Sequence, residues 1–215
     1  METGELLEQV HKALRQVRSG GSSAELAQAT AVLKELRDQR QFAAMLELGE
    51  AIRRRAPEDA GARRLYAQAL IERGRATVAI DVLQPLTRLS PQDSEYAEAM
   101  GLTGRAYKQI FLDAANKTAP FALQALRQSI VSYHRLFDQD PIRNTWHGVN
   151  LLALLARARR LGVSDLDAPP TAVAAWRPAM PPISPVWKAN SESTKRRPGG
   201  AARASKSATI APSIA

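Results

Sequence analysis

The side chains that could hold a proton, a metal or a phosphate are few in this chain and poorly placed for joint chemistry. Its three histidines, His11, His134 and His147, are widely separated. None falls in the His-x3-His or His-Glu-x-x-His spacing that sets two imidazoles on one helix face around a metal. The chain has no cysteine, which excludes disulfides, thiolate metal sites and cysteine nucleophiles. Asp138 and Asp140 suggest a carboxylate pair, but directly before Pro141 they suit the end of a helix and its turn. Gly20-Gly21 and Gly199-Gly200 lack the Lys-Ser/Thr that completes a phosphate loop. No catalytic, cofactor or metal constellation emerges, and the residues point to a binding protein rather than an enzyme.

What could position binding residues is a repeat. Pro57 and Pro91 lie 34 residues apart, and each closes a similar helical pattern. From Ala60 to Asp93 the pattern runs Arg63, Tyr66, Ala67, Leu70, then Ala79, Leu83, Leu86 and Pro91, with Gly74 at the turn where a positive φ suits glycine. The preceding unit has Ala29, Val32, Leu33, Leu36, then Met45, Gly49, Ile52 and Pro57. There Gly49 is small where a large residue is expected. Ser22 with Glu25 predicts a capping box at its start, and Ser90-Pro91 with Asp93 predicts a helix start with Pro in the first turn. The period and these residues resemble tetratricopeptide (TPR) repeats, helix hairpins that bury their apolar faces only by stacking.

The third unit departs from the period. Pro91 to Pro141 is 50 residues, so an elongated hairpin is expected, with the extra residues around Arg105 to Pro120 helical and Pro120 near the start of the second helix. A helix from Pro91 to about Ala115 would be roughly 37 Å long at 1.5 Å per residue. Ile110, Phe111 and Ala114 would face Phe121, Leu126, Ile130 and Phe137 across it. The run Gly104-Arg105-Ala106-Tyr107-Lys108-Gln109-Ile110-Phe111, then Ser132-Tyr133 through Asp140-Pro141, then Gly148-Val149-Asn150, resembles the TRAF-binding TPR region of stress-activated kinase kinase kinases. It is more similar to the bacterial homologues of that region, which often accompany protease or other effector domains. This resemblance covers Ser94 to Val163 and implies an interaction module, with no partner named.

The TPR resemblance also implies where a ligand would sit. The first helices of such hairpins line a concave face, here including Thr30, Lys34, Arg37, Arg64, Gln68, Ile71, Glu95, Glu98, Leu102 and Arg105. Lys34, Arg37, Arg64, Gln68 and Arg105 are the candidates for gripping an acidic peptide or a C-terminal carboxylate. The Lys and Asn of the chaperone-binding TPR clamp are replaced by Thr30 and Lys34, so that particular function is not expected. Trp146, His147 and Asn150 open the last helix and complete the candidates. Trp146 reads most simply as a packing residue on the third hairpin, and Asn150 needs a hydrogen-bond partner.

The flanks differ in kind. Residues 1–18 form an amphipathic helix on Leu7, Val10, Leu14 and Val17, expected to cap residues 24–163. Residues 169–215 hold 8 of the 13 prolines, with seven Lys or Arg against Glu192 alone, and read as a disordered basic tail. The net charge is +9 overall and only +3 for residues 1–168. Lys195-Arg196-Arg197 would attract nucleic acid or another acidic polymer weakly, without aromatics for base stacking. Met1-Glu2-Thr3-Gly4 is not a signal-peptide start, and no apolar run suits a membrane span, so a cytoplasmic, non-membrane protein is expected. The last helix, Asn144 to about Leu161, carries Leu151, Leu152, Leu154 and Leu155, more apolar surface than one neighbour covers. Val173, Trp176, Val186 and Trp187 folding back, a second protein or a second copy would cover it.

The expectation is therefore an all-α, TPR-like helical-hairpin solenoid of about three and a half repeats with a disordered C-terminal tail. Its expected role is a non-catalytic adaptor or scaffold with a peptide or protein partner and no cofactor. Binding through the tail, or service as a separately encoded regulatory part of a larger effector system, are the alternatives.

Overall fold

The computed structural model describes residues 3–163. The expectations placed on residues 169–215, including the basic cluster and the fold-back segment, lie outside the described residues. Among those described there are eight α-helices, one 3-10 turn and no strand: α1 (Thr3–Arg18), α2 (Ser23–Asp38), α3 (Phe42–Arg55), α4 (Ala60–Glu72), α5 (Ala76–Leu83), the 3-10 turn (Leu86–Arg88), α6 (Tyr96–Asp113), α7 (Pro120–Gln139) and α8 (Thr145–Arg160). Helices α2/α3, α4/α5 and α6/α7 are the hairpins, and α8 follows them as the last described helix. The first helices touch in sequence, α2 on α4 and α4 on α6, while α1 packs on α2 and α3. No described helix is long and apolar enough to cross a membrane.

Helix boundaries follow local chemistry. Ser22 and Glu25 form the reciprocal capping box: the Ser22 N–H donates to Glu25 Oε2 at 2.8 Å, and the Glu25 N–H donates back to Ser22 Oγ. Asp59 caps α4 by accepting the Ala62 N–H at 2.8 Å. Gly74 ends α4 at φ 74°. The turn after α2 has no glycine, and Arg40 adopts φ 57° there, a conformation that costs a side-chain-bearing residue about 1–2 kcal/mol.

One apolar cluster joins Leu6, Val10, Leu14 and Val17 of α1 to Leu33, Leu36, Met45, Leu48, Ile52 and Leu65. A second joins Tyr66 and Leu70 of α4 to Leu83, Leu86, Leu102 and Ala106. The small Gly49 is explained by its neighbour: a Cβ there would stand 3.0 Å from Tyr66 Cβ. Volume missing from one repeat is supplied by the aromatic ring of the next.

Several expectations are corrected. Leu6, not Leu7, faces the core; Leu7 is exposed. Pro91 does not open a helix. Side chains satisfy residues 91–95 as turns, with Asp93 Oδ1 accepting the Glu95 N–H at 2.8 Å, and α6 starts at the buried Tyr96. Its 18 residues make it about 27 Å long, still longer than the 13-residue α4. The inserted stretch is not helical throughout. Residues 114–119 form a loop in which Lys117 Nζ donates to the carbonyls of Leu112 and Ala114, and Asn116 Oδ1 accepts from the Thr118 N–H. Pro120 does start α7. Phe111, Ala114, Leu126, Ile130 and Phe137 are buried as expected, but Phe121 is exposed. In the second hairpin α5 stops after eight residues, because Pro85 lacks the N–H to continue it.

The last helix differs too. Leu151 and Leu154 are buried, and Leu152 and Leu155 are half-buried. The exposed apolar residues are instead Trp146 and Val149 on α8, with Ile142 in the turn before it. Helix α8 approaches α7 because Gly148 has no side chain: a Cβ would stand 2.6 Å from Phe137 Cε2. Gly148→Ala should therefore destabilise the protein by about 1–3 kcal/mol through overpacking, measured by chemical denaturation. Gly61→Ala, whose Cβ would meet nothing closer than 3.5 Å, should be neutral or slightly stabilising.

Candidate functional site

The polar side chains of the first-helix row largely hold one hairpin to the next. Thr30 on α2 donates its hydroxyl to Asp59 Oδ2, the cap of α4, at 3.0 Å. Arg64, one 34-residue period later, reaches Glu95 at the start of α6 and is itself buried. Arg105 on α6 reaches back to Glu72 on α4 at 2.8 Å. Equivalent places in the repeat thus do equivalent jobs with different chemistry, first a hydroxyl and then a guanidinium.

Beyond Arg105 the pattern changes. Lys108, one turn further along α6, donates to Asn150 Oδ1 on α8 at 2.7 Å. The Asn150 amide nitrogen donates to the Trp146 carbonyl at 2.9 Å, which fixes its orientation. Beneath the ammonium, 6.0 Å away, lies the Tyr133 ring of α7. That ring sits on Gly104, where a Cβ would be 3.1 Å from it. Ser129 Oγ donates to the Gly104 carbonyl at 2.7 Å beside it. Trp146 meets Tyr133 edge-on with centroids 5.8 Å apart, and His147 lies 5.1 Å from Trp146. The His147 ring fills the space over Gly101, its Nε2 2.8 Å from where a Cβ would be. Two glycines one turn apart on α6 let two rings from α7 and α8 reach its backbone.

This environment changes the acid–base groups. Burial lowers the Lys108 ammonium from its ordinary range, and the Arg105 guanidinium pushes the same way. Burial raises the Tyr133 hydroxyl well above its usual range, with Arg105 pulling against it. Burial lowers the His147 imidazole, opposed by the Glu98 carboxylate. The Tyr133 hydroxyl and His147 Nδ1 are both buried without a hydrogen-bond partner.

Of the residues selected from sequence, Arg105, Trp146, His147 and Asn150 converge here. Lys34 and Arg37 lie on α2 in the first hairpin, Lys34 exposed and Arg37 paired with Asp38 at 2.8 Å. Gln68 is half-buried on α4. Arg64, a candidate for gripping an acid, already has one in Glu95. Trp146 does pack against the third hairpin, yet 54% of it is exposed. Lys108 and Tyr133 belong to the motif that carries the family resemblance but are not among the candidate binding residues. The signal was the i, i+3 step from Arg105 to Lys108, which shares a helix face. Asp140 serves the turn before α8, accepting the Arg143 N–H at 3.0 Å. Among the described residues no three His, Cys, Asp or Glu side chains converge as metal ligands. A cavity of about 330 Å³ between α1 and α3 is lined by Arg18, Glu47, Glu50 and Arg54, whose charges pair with one another.

The His147 shift has a pH consequence. The folded chain keeps this imidazole neutral to lower pH than the unfolded chain, where histidine titrates near 6.5. Below that value the unfolded state binds more protons, so the stability tied to neutral His147 is lost as pH falls through the folded value. Between about pH 7 and about pH 5.5 the melting temperature should decline more steeply for the wild type than for His147→Gln. Equal slopes would remove His147 as the source.

No curated protein and no solved structure matches the chain. A match to a protein family covers residues 41–155, from the turn before α3 into α8, and so includes every residue around Lys108 and Tyr133. The matched stretch is more than half of the 215 residues and takes in α3, the hairpins α4/α5 and α6/α7, and most of α8. The chain belongs to the TPR-S family, Tetratricopeptide Repeats-Sensor.

Proposed function

We propose that this chain is a non-catalytic protein–protein interaction module, an adaptor or scaffold, that binds a peptide or protein at the surface between α6 and α8. The observation that carries this reading is the convergence of Lys108, Asn150 and the exposed Trp146 on neighbouring helices. A half-buried cation, a fixed amide and an exposed indole together offer charge, hydrogen bonding and apolar area. The family's description as a sensor supports a module that receives a ligand, as does the resemblance of Ser94 to Val163 to TRAF-binding TPR regions. Service as the regulatory part of a larger effector system fits the same surface. Ile142, Trp146 and Val149 extend it with apolar area that a second copy of the chain would also suit.

A second reading rests on charge. Residues 169–215 carry +6 of the chain's +9, which supports weak binding of nucleic acid or another acidic polymer through that segment. The two readings separate by salt. Affinity capture with residues 1–168 and with the full chain, side by side, should return shared partners that survive a rise from about 50 to about 200 mM salt. Partners seen only with the full chain and lost over that range would favour the basic segment.

A further inference from the structure

We propose that the ligand of the α6–α8 surface is a peptide presenting an Asp or Glu side chain to the Lys108 ammonium, with a neighbouring apolar residue laid on Trp146. This rests on the reading of the chain as a peptide-binding module and names what the peptide carries.

The argument is one of charge balance. On the first-helix row Arg37, Arg64 and Arg105 each have a carboxylate of their own, in Asp38, Glu95 and Glu72. Among the described residues Lys108 has only a neutral amide oxygen as its hydrogen-bond partner, and the described groups around it supply no anion. Helix α4 gives Glu72, taken by Arg105, and α6 itself gives the like charge of Arg105. Helix α7 gives the Tyr133 ring, and α8 gives Asn150 and His147 beyond it. A cation partly removed from water without a counter-ion is costly, and an arriving carboxylate offsets that cost with charge-assisted hydrogen bonds. Lys34 has no such bias: it is exposed and well hydrated, where an ion pair gains little.

The geometry also selects among anions. Phosphate is best held by a free guanidinium fork, and the nearest one, Arg105, is committed to Glu72. A single ammonium beside a neutral amide suits a carboxylate. Trp146 and Val149, both more than half exposed, stand three residues apart on α8 and so share a face as the apolar part of the surface, with the exposed Ile142 in the turn before the helix.

Selection from a random peptide display library against the full chain at about 150 mM salt tests the proposal. Selected peptides should carry Asp or Glu beside an apolar residue. Replacing that acid by its amide should weaken binding about tenfold, the effect of one charged hydrogen bond. Lys108→Met should weaken it equally, Lys108→Arg should restore most of it, and Lys34→Met should change nothing. The basic segment is common to every variant, so peptides held there are recognised by their indifference to Lys108→Met. Thermal melts of each variant check folding, and a Lys108→Arg protein that melts normally but fails to restore binding counts against the proposal. Peptides that bind independently of the acid and of Lys108, or that prefer phosphoserine to glutamate, overturn the carboxylate and leave the module reading standing. A library that yields no binder overturns the module reading, and the proposal with it.

Discussion

The seat of the Tyr133 ring on Gly104 is the contact on which the third hairpin depends. It exists only because α6 offers bare backbone: any Cβ at residue 104 would stand 3.1 Å from the ring. With the ring so placed, α7 is fixed against α6, and Ser129 completes the seam with a buried hydrogen bond to the Gly104 carbonyl. Trp146 and His147 then pack on the other edges of the same ring, and so α8 takes its place. The Lys108 ammonium lies over the ring rather than in open water. The local chemistry of the surface is therefore set by a packing decision made one layer below it.

Features that depend on nearby residues were legible in the sequence. The capping box at Ser22 and Glu25, the glycine turn at Gly74 and the start of α7 at Pro120 each follow from one or two residues acting within a turn. Features that depend on what lies opposite were not. Leu6 and Leu7 both fit an amphipathic stripe, and only the position of α2 and α3 decides between them. Gly49 looks like a flaw in its repeat until Tyr66 of the next repeat is seen to occupy its space. Pro91 has the flanking residues of a helix start, yet Ser90 and Asp93 use their side chains to hold a turn instead.

The candidate site divides in the same way. Trp146, His147 and Asn150 stand out as large or polar residues opening an apolar helix. Arg105 stands out by its place in the repeat. That Arg64 is already neutralised could not be read, because Glu95 lies 31 residues away. The weight of Lys108 depends equally on Asn150, 42 residues away. Sequence marks which side chains are able to bind, and tertiary pairing decides which of them are left with something to bind.

The polar links of the first-helix row share a topology. Thr30 with Asp59, Arg64 with Glu95, Arg105 with Glu72 and Lys108 with Asn150 each cross one hairpin boundary and none crosses two. Such an array behaves as a line of neighbours, each responding only to the next. The last link differs from the others in sharing its cation with the proposed ligand, so occupancy of Lys108 and docking of α8 draw on one group. They are thermodynamically linked: whatever the ligand does to the hold of α8, the hold of α8 does reciprocally to the ligand.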